Sequence, residues 1–251
     1  MQRSKHGGEA VRRSRSQKVL DFLTFPVRAV SIFHENRFGL SSLASERFDY
    51  VAAEVTGYCL DVGCGYHNKF VSAWLHGNGK GIDVFRYKGL TSQHIVEDIT
   101  HFPFTDNSFE TVTFIANLNH VPESDRDAEL AEAYRCLKPG GRIVVTMGNP
   151  IAELAVHRVV AWHDRLFGTN LDMDSERGMG QEEAFYLLDS EIVERLMRAG
   201  FSGLKKRYFC TQWALNHLWV GSKISATGSE RAMVTQSGVT NADWLYAGGL
   251  R

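Results

Sequence analysis

The chain has 251 residues, 43% of them hydrophobic, and its 28 basic side chains are balanced by 29 acidic ones. This length and composition predict one soluble globular α/β domain with additions, and the balanced charge argues against a nucleic-acid partner. The four cysteines form neither a CxxC pair nor a ligand-like cluster with histidine, so we expect reduced cysteines in a cytoplasmic protein. They are Cys59, Cys64, Cys136 and Cys210.

The first 50 residues divide into two segments. Residues 1–18 carry six basic side chains against the single acid Glu9, which predicts a disordered basic arm. Residues 19–50 are expected to form a helical cap, in which the apolar positions from 19 to 33 suit a helix interrupted near Pro26. Two interpretations remain open: the cap packs over the domain, or residues 1–33 rest on a membrane surface as a peripheral contact.

Residues 51–224 alternate short apolar runs with longer amphipathic ones, as a parallel sheet with crossover helices requires. Seven strands are predicted, at 59–62, 80–84, 94–97, 111–116, 142–147, 203–209 and 217–222. Helices are predicted at about 123–137, 150–167 and 189–199, and residues 225–251 are expected to be a flexible tail. The pattern therefore predicts an α/β fold.

The first predicted strand runs into LDVGCGYHNKF, residues 60–70, where Gly63 and Gly65 form a turn. Such a turn aims backbone N–H groups at a ligand above the carboxyl edge of a parallel sheet. Asp83 ends the second strand, close to the offset of about 20 residues from Asp61 at which an acid can bind both hydroxyls of a ribose. Asp98 ends the third strand, where its carboxylate and Ile99 would lie against an adenine ring.

Asp61 separates two classes of cofactor. A nicotinamide cofactor carries a pyrophosphate, which favours three glycines in the order G-x-G-x-x-G. Here Asp61 stands two residues before Gly63, and Asn68 occupies the place of the third glycine. A carboxylate suits a cationic ligand without phosphate, such as S-adenosylmethionine, so a nicotinamide-dependent oxidoreductase is the less favoured alternative.

From LDVGCG (60–65) through FPFTDNSFE (102–110) to LKPGG (137–141), the sequence resembles the class I S-adenosylmethionine-dependent methyltransferases. The resemblance implies a Rossmann-like, doubly wound sheet of seven strands, mostly parallel, with helices on both faces and an antiparallel final strand. Residues 51–224 would form the methyltransferase domain, and residues 150–188 an insertion on the substrate side.

The resemblance also implies a cofactor site for S-adenosylmethionine. Its expected residues are Asp61, Gly63, Cys64, Gly65 and Asn117 around the methionine end, Asp83 and Val84 at the ribose, and Asp98 and Ile99 at the adenine. His67 and Asn68 either contact the cofactor carboxylate or begin the following helix, and the sequence leaves both roles open.

His120 follows the fourth predicted strand, where the active site of such enzymes opens. It is the candidate catalytic residue, as the base that takes a hydroxyl proton, although a structural role at the start of the next helix is an open alternative. We expect a small-molecule or lipid-linked acceptor, methylated on oxygen. A cofactor-binding protein without catalysis is the alternative from another class.

The insertion is expected to build the acceptor pocket. Its candidate lining residues are Trp162, Met173, Met179, Phe185 and Tyr186. The neighbouring His157 and His163 would lie well apart around the predicted helix, unlike an i, i+4 ligand pair, so no metal site is predicted.

Overall fold

The computed structural model describes residues 14–31, 36, 38–149, 162, 165 and 186–225. The helices are α1 (Arg15–Ser31), α2 (Leu43–Ala52), α3 (Glu123–Cys136) and α4 (Asp189–Arg198). The strands are β1 (Cys59–Val62), β2 (Gly79–Ile82), β3 (Phe109–Ile115), β4 (Leu137–Gly148), β5 (Ser202–Tyr208) and β6 (Asn216–Ser222). The helix predicted at 150–167 and the tail at 225–251 lie almost wholly outside these ranges, as do residues 1–13 of the predicted arm.

The strands form one sheet in the order β2-β1-β3-β4-β6-β5. Neighbouring strands from β2 to β4 are parallel, whereas β6 is antiparallel to both β4 and β5. The α/β class, the mostly parallel sheet and the antiparallel final strand are confirmed. Because β1 lies between β2 and β3, the chain reverses its direction across the sheet after β2, which opens a crevice at the carboxyl ends of these strands.

The sheet of the described residues has six strands, one fewer than predicted. Residues 94–97 make a single parallel bridge, between Asp83 and Ile95. There the Asp83 N–H donates to the His94 carbonyl (2.8 Å) and the Val96 N–H to the Asp83 carbonyl (3.0 Å). The segment offers only two adjacent apolar residues, too few to hold a full edge strand, and it leads directly into the loop at 98–104.

Side chains of the strands alternate between two apolar layers, one on each face of the sheet. Leu60 and Val62 of β1 pack with Leu130 of α3 and Leu196 of α4. Cys59, which begins β1 and faces the opposite side of the sheet, packs with Val51 of α2 and with Phe70. Helices therefore cover both faces, as the fold class predicts.

Helix α1 begins at Arg15, within the segment predicted as a disordered arm, and continues through Pro26. Proline has no N–H to donate to the carbonyl four residues earlier, and that carbonyl, of Phe22, instead accepts a hydrogen bond from Trp213 Nε1 (2.9 Å). The Phe25 ring also packs against Trp213, with ring centroids 5.5 Å apart. The helix thus passes its proline because the segment before β6 supplies the missing donor.

Buried charge joins α1 to α2. Arg28 is 1% exposed, and its Nη1 donates to Glu46 Oε2 (2.8 Å) and to the Ser41 carbonyl (3.0 Å). Its Nη2 donates to the Thr211 carbonyl (3.2 Å), next to the turn that holds Trp213.

None of the described helices combines the length and apolar character that crossing a bilayer requires.

Candidate active site

A cavity of about 590 Å³ opens where the carboxyl ends of β1, β2 and β3 meet. Ligands of open α/β sheets bind at this edge, beside the point where the strand order reverses. Nine of the predicted site residues line the cavity: Asp61, Gly63, Cys64, Gly65, Asp83, Val84, Ile99, Asn117 and His120. The fold thus brings four separate chain segments together around one space.

The glycine turn after β1 depends on both glycines. Gly63 has φ +74°, and a Cβ there would lie 2.2 Å from Asn117 Cγ, so no side chain fits. Gly65 has φ +60° and ψ −159°, a conformation that essentially only glycine adopts. The Gly63 and Cys64 N–H groups donate to the Ile82 carbonyl (2.9 and 3.0 Å), which fixes the turn against β2.

His67 and Asn68 follow the turn in left-handed conformations, with φ +60° and +46°. The Asn68 side chain packs beneath the turn, because a Cβ on Gly81 of β2 would lie 2.2 Å from Asn68 Oδ1. The His67 ring lines the cavity and lies against Gly89 in the same way. The two residues therefore have different positions: His67 in the cavity wall, and Asn68 in the packing behind it. A short turn of 3₁₀-helix over Tyr66–Asn68 stands where the following helix was considered to begin.

Asp61 is buried at the end of β1. Its Oδ1 accepts a hydrogen bond from Thr113 Oγ1 (2.7 Å) on the adjacent β3. Burial, with the nearby charge of Asp83, raises the pKa of Asp61 to about 7 although the Thr113 hydrogen bond lowers it. A cationic ligand in the cavity would lower the pKa of this carboxyl group and so favour its ionised form.

Asp83 is held by the backbone on both of its carboxylate oxygens. Oδ2 accepts from the Gly65 N–H and Oδ1 from the Phe85 N–H, both at 2.9 Å. The carboxylate is therefore fixed between the glycine turn and the residues that follow β2. Because each oxygen has a further lone pair, it can still accept from the two hydroxyls of a ribose.

Asp98 is the one predicted site residue that does not line the cavity. Its side chain is exposed, and Oδ1 accepts from Thr100 Oγ1 (2.6 Å) and from the Thr100 N–H (2.8 Å). These two hydrogen bonds lower the pKa of the Asp98 carboxyl. The neighbouring Ile99 does line the cavity, so the loop after the single bridge at Ile95 presents its apolar side chain to the ligand space and its acid to solvent.

Asn117 and His120 form the wall beyond β3. Asn117 packs on Gly63, and its carbonyl accepts from the His120 N–H (2.8 Å) in the short turn Leu118–His120. His120 Nε2 lies 3.3 Å from Asn119 Nδ2. The turn thus carries the imidazole into the cavity next to the residue expected at the methionine end of the cofactor.

Two groups of lining residues were not anticipated from the sequence. Helix α2 contributes Ala44, Ser45, Arg47 and Phe48, and the segment after β2 contributes an aromatic wall of Phe85 and Tyr87, joined by Tyr66 from the turn. The Tyr66 and Tyr87 rings lie 4.7 Å apart. The periodicity of a sequence predicts which residues form a helix or a strand. It does not show which helix or loop lies beside the carboxyl edge of the sheet and so lines the cavity.

Glu129 of α3 also lines the cavity and was not predicted. It is 1% exposed, and burial with the charges of Asp125 and Asp83 raises its pKa to about 8. Its place in the sequence, among Glu, Leu and Ala residues of a helix, gives no signal that separates it from a solvated helical glutamate.

Comparison with known proteins identifies the family. Residues 60–145 match the family model described as a methyltransferase domain. A demethylmenaquinone methyltransferase from Staphylococcus haemolyticus is 30% identical over 195 residues, which cover 68% of this chain and 80% of that protein. The chain belongs to the class I S-adenosylmethionine-dependent methyltransferases.

Other relatives match shorter parts or the fold alone. The ubiquinone/menaquinone biosynthesis C-methyltransferase UbiE of Desulfotalea psychrophila is 40% identical over 80 residues, and this match spans 32% of either protein. A Haloferax volcanii methyltransferase, solved in complex with its activator Trm112, shares the fold with a TM-score of 0.50 and 16% identity, over 71% of this chain and 89% of that chain.

The cavity of this methyltransferase fits S-adenosylmethionine. The ligand carries ammonium and sulfonium charges and no phosphate, and the buried carboxyl groups of the described wall are those of Asp61, Asp83 and Glu129. Asp61 and the glycine turn would hold the methionine end, and Asp83 the ribose. The cofactor would supply the methyl group on its sulfonium sulfur. The leaving group is then a neutral thioether, which departs readily.

None of the five residues predicted to line the acceptor pocket is seen in the cavity wall of the described chain. Met173, Met179 and Phe185 lie outside the described residues, as do His157 and His163. Trp162 is exposed, and Tyr186 packs against the apolar layer that contains Leu130 instead of lining the cavity. Tyr186 is therefore a core residue, drawn to that layer by the adjacent buried Leu187.

Proposed function

We propose that this protein transfers the methyl group of S-adenosylmethionine to a small molecule that carries an acidic hydroxyl, of the phenol or hydroquinone kind. The observation that carries this proposal is the position of His120 in the cavity wall, one turn after Asn117. The names of the curated relatives support it, since they describe methylation in ubiquinone and menaquinone biosynthesis.

The chain's own residues would contribute orientation and proton transfer. In-line displacement at a methyl group needs the nucleophile held close to the methyl carbon, which the cavity walls provide. His120 takes the hydroxyl proton as the acceptor becomes nucleophilic, and a histidine is suited to this at neutral pH. The buried acids favour the cationic cofactor over its neutral product, which promotes product release.

The acceptor atom follows from where the negative charge resides after deprotonation. A phenolate carries charge on its oxygen and on the neighbouring ring carbon, so either atom can receive the methyl group. Methylation on carbon also requires that the hydrogen on that carbon leaves as a proton, which restores the aromatic ring. Oxygen is the atom favoured by the sequence, whereas the relatives named C-methyltransferases favour carbon. Nuclear magnetic resonance of the product made from cofactor with a ¹³C-labelled methyl group distinguishes an O-methyl from a C-methyl carbon.

The experiment that tests the cofactor begins with calorimetric titration. We expect binding of S-adenosylmethionine and S-adenosylhomocysteine and none of NADH. No binding of the first two ligands at about 1 mM would contradict the proposal, because enzymes bind their substrates and co-substrates at or below this concentration. Binding without any labelled product, after incubation with small-molecule extracts, would support the non-catalytic alternative instead.

The role of His120 is tested by His120→Ala with His101→Ala as a matched control. His101 is exposed and lies outside the cavity lining. We expect His120→Ala to lower the methylation rate by about 10²-fold or more while the affinity for S-adenosylhomocysteine stays nearly unchanged. An unaltered rate would return His120 to a structural role.

We further propose that α1 rests on a membrane and gives access to a lipid-linked acceptor. Its exposed apolar side chains are Val19, Leu20, Phe22, Leu23 and Val27. Arg15 and Lys18 lie in the first turn of α1, and the sequence before them carries four more basic residues, Arg3, Lys5, Arg12 and Arg13. Apolar side chains beside basic ones suit an anionic lipid surface.

Co-sedimentation with vesicles tests the membrane proposal. We expect binding to vesicles with about one-third anionic lipid, where basic residues near the surface gain most. The double variant Leu23→Glu/Val27→Glu should abolish it. Met197→Glu, at an exposed apolar position of α4, is the matched control and should leave binding intact. Equal binding by all three proteins, or by none, would contradict the proposal.

A further inference from the structure

Glu129 is a buried carboxyl group in the cavity wall that the proposed reaction does not use. Within the part of the chain that the structure describes, its Oε2 is buried and has no hydrogen-bond partner. A buried polar atom normally has a hydrogen-bond partner, and leaving one without a partner is unfavourable. An atom of this kind in a ligand cavity points to a partner that the ligand supplies.

The position of Glu129 on α3 shows which end of the cavity it faces. Three residues later on the same helical face, Glu132 Oε2 accepts the Phe102 N–H (2.8 Å). Glu129 therefore faces the same 98–102 loop one turn earlier. Ile99 and Phe102 of that loop line the cavity with Glu129. Ile99 is the residue expected beside the adenine, so Glu129 lies at the adenine end.

The acid expected to recognise the adenine is directed elsewhere. Asp98 is exposed, and two hydrogen bonds from Thr100 occupy its Oδ1. It does not line the cavity. Among the cavity-lining residues, the adenine end thus has one carboxyl group, and it belongs to Glu129.

The protonation state of Glu129 suits a purine edge. Burial raises its pKa to about 8, so the group is mostly protonated at neutral pH. A protonated carboxyl group presents one donor and one acceptor side by side. The amino edge of adenine presents the complementary pair, an exocyclic N–H beside a ring nitrogen that accepts.

We propose that Glu129 takes the place of Asp98 in reading the adenine of S-adenosylmethionine. One carboxyl oxygen accepts from the 6-amino group and the other donates its proton to an adjacent ring nitrogen. This inference rests on the proposed cofactor. It makes Glu129 a specificity-determining residue for the base, contributed by a helix and not by the loop after the third predicted strand.

Calorimetry with two ligands tests the inference: S-adenosylhomocysteine and its 6-deamino analogue, whose purine carries hydrogen in place of the amino group. For Glu129→Leu we expect about tenfold weaker binding of S-adenosylhomocysteine, the effect of losing hydrogen bonds to the base. Binding of the analogue should fall much less. Glu129→Gln keeps a donor beside an acceptor and should stay within about threefold of wild type for both ligands.

Asp98→Asn is the contrasting variant and should bind both ligands as wild type does. Equal losses of the two ligands in Glu129→Leu would indicate a merely structural role and overturn the inference. So would a tenfold loss in Asp98→Asn. If wild type binds neither ligand, the proposed cofactor site itself fails, which is a separate result.

Infrared difference spectroscopy provides a second measurement that does not depend on the Leu variant being folded. Addition of S-adenosylhomocysteine to wild type should shift the carbonyl band of a protonated carboxyl group. That band should be absent from the difference spectrum of Glu129→Gln. Identical difference spectra for the two proteins would overturn the inference.

Discussion

Two carboxyl groups in the same cavity, Asp61 and Glu129, have raised pKa values for the same main reason. Both are removed from water, and neither has a basic partner among its main electrostatic influences. They differ in what compensates the burial: Thr113 donates to Asp61, whereas Oε2 of Glu129 has no partner in the described chain. The unpartnered oxygen of Glu129 therefore lowers the stability of the protein without ligand, and the proposed contact with the cofactor would remove this loss.

Glu129→Gln should change how stability depends on pH. The pKa of Glu129 rises on folding from its ordinary 4.5 to about 8, so the folded protein binds the proton more tightly than the unfolded chain. This stabilisation is fully present below about pH 4.5 and is lost as the pH rises to about 8. The uncharged Gln has no such loss. The variant should therefore gain about 2 to 4 kcal/mol relative to wild type between about pH 5 and pH 9.

Denaturant unfolding of both proteins at the two pH values measures this difference. Asp61 remains in both proteins, so its own titration cancels in the comparison. Parallel pH profiles of wild type and variant would show that Glu129 is ionised in the folded protein at neutral pH.

Asp83→Ala should weaken the binding of S-adenosylhomocysteine by about 1 to 3 kcal/mol. The carboxylate would lose its charge-assisted hydrogen bonds to the ribose, and the Gly65 N–H would lose its acceptor. Asp106→Ala, which removes an exposed acid outside the cavity, is the calorimetric control. Unchanged affinity in Asp83→Ala would show that the ribose does not lie at the end of β2.

Nine of the ten site residues predicted from the sequence line the cavity, because the carboxyl ends of parallel strands meet at one edge of the sheet. Asp61 lies near the end of β1, and Asp83 and Asn117 follow β2 and β3. The alternating pattern predicts parallel strands, and the observed order places these three strands side by side, so the meeting of the three residues is a property of topology. Asp98 was predicted to line the cavity but does not, because the strand before it is reduced to one bridge. In the loop that follows, Thr100 donates hydrogen bonds to the Asp98 carboxylate. Glu129 was missed because a helix pattern does not show which polar side chain faces a cavity.

At the scale of elements, α1 and α2 depend on the ion pair of Arg28 and Glu46. Arg28→Met should reduce the free energy of unfolding by about 3 to 5 kcal/mol, since it leaves the buried Glu46 carboxylate without its cationic partner. It should also speed trypsin cleavage within α1 at Arg15 and Lys18. Urea unfolding and limited proteolysis measure the two effects.

The double variant Arg28→Met/Glu46→Gln is the matched control for this pair. Removing the second charge should restore part of the stability, because no unpaired carboxylate then remains buried. Glu46→Gln alone completes the cycle. If the loss of stability in the double variant equals the sum of the losses in the two single variants, the two residues are not coupled and α1 is held by its apolar contacts.

Elements differ in how well their boundaries follow from the sequence. β1 and β6 match their predicted ranges within a residue, because apolar runs bounded by turn residues define them. The helix expected after the glycine turn is instead two short turns, since His67 and Asn68 have positive φ and cannot begin a regular α-helix. α1 crosses Pro26 through a bond from Trp213, a residue nearly the whole described chain away, which no local pattern contains.

At the scale of the whole molecule, the sheet is divided between two tasks. The cavity lining comes from α2, from the ends of β1, β2 and β3 and the residues that follow them, from segment 96–102, and from Glu129 of α3. Within the described ranges, β5, β6 and α4 contribute no lining residue. Their side of the sheet instead anchors α1 and α2, through Thr211 and Trp213.

Hydrogen exchange should make this division visible. At short labelling times, when local openings dominate exchange, S-adenosylhomocysteine should slow the amides of α2 and of residues 63–69 and 83–87, which surround the ligand. The amides of β5, β6 and α4 should exchange as they do without ligand. Peptide-level mass spectrometry resolves these segments. Uniform slowing across the sheet would show that the ligand stabilises the fold as one unit, whereas slowing confined to β5 and β6 would place the ligand at the wrong edge.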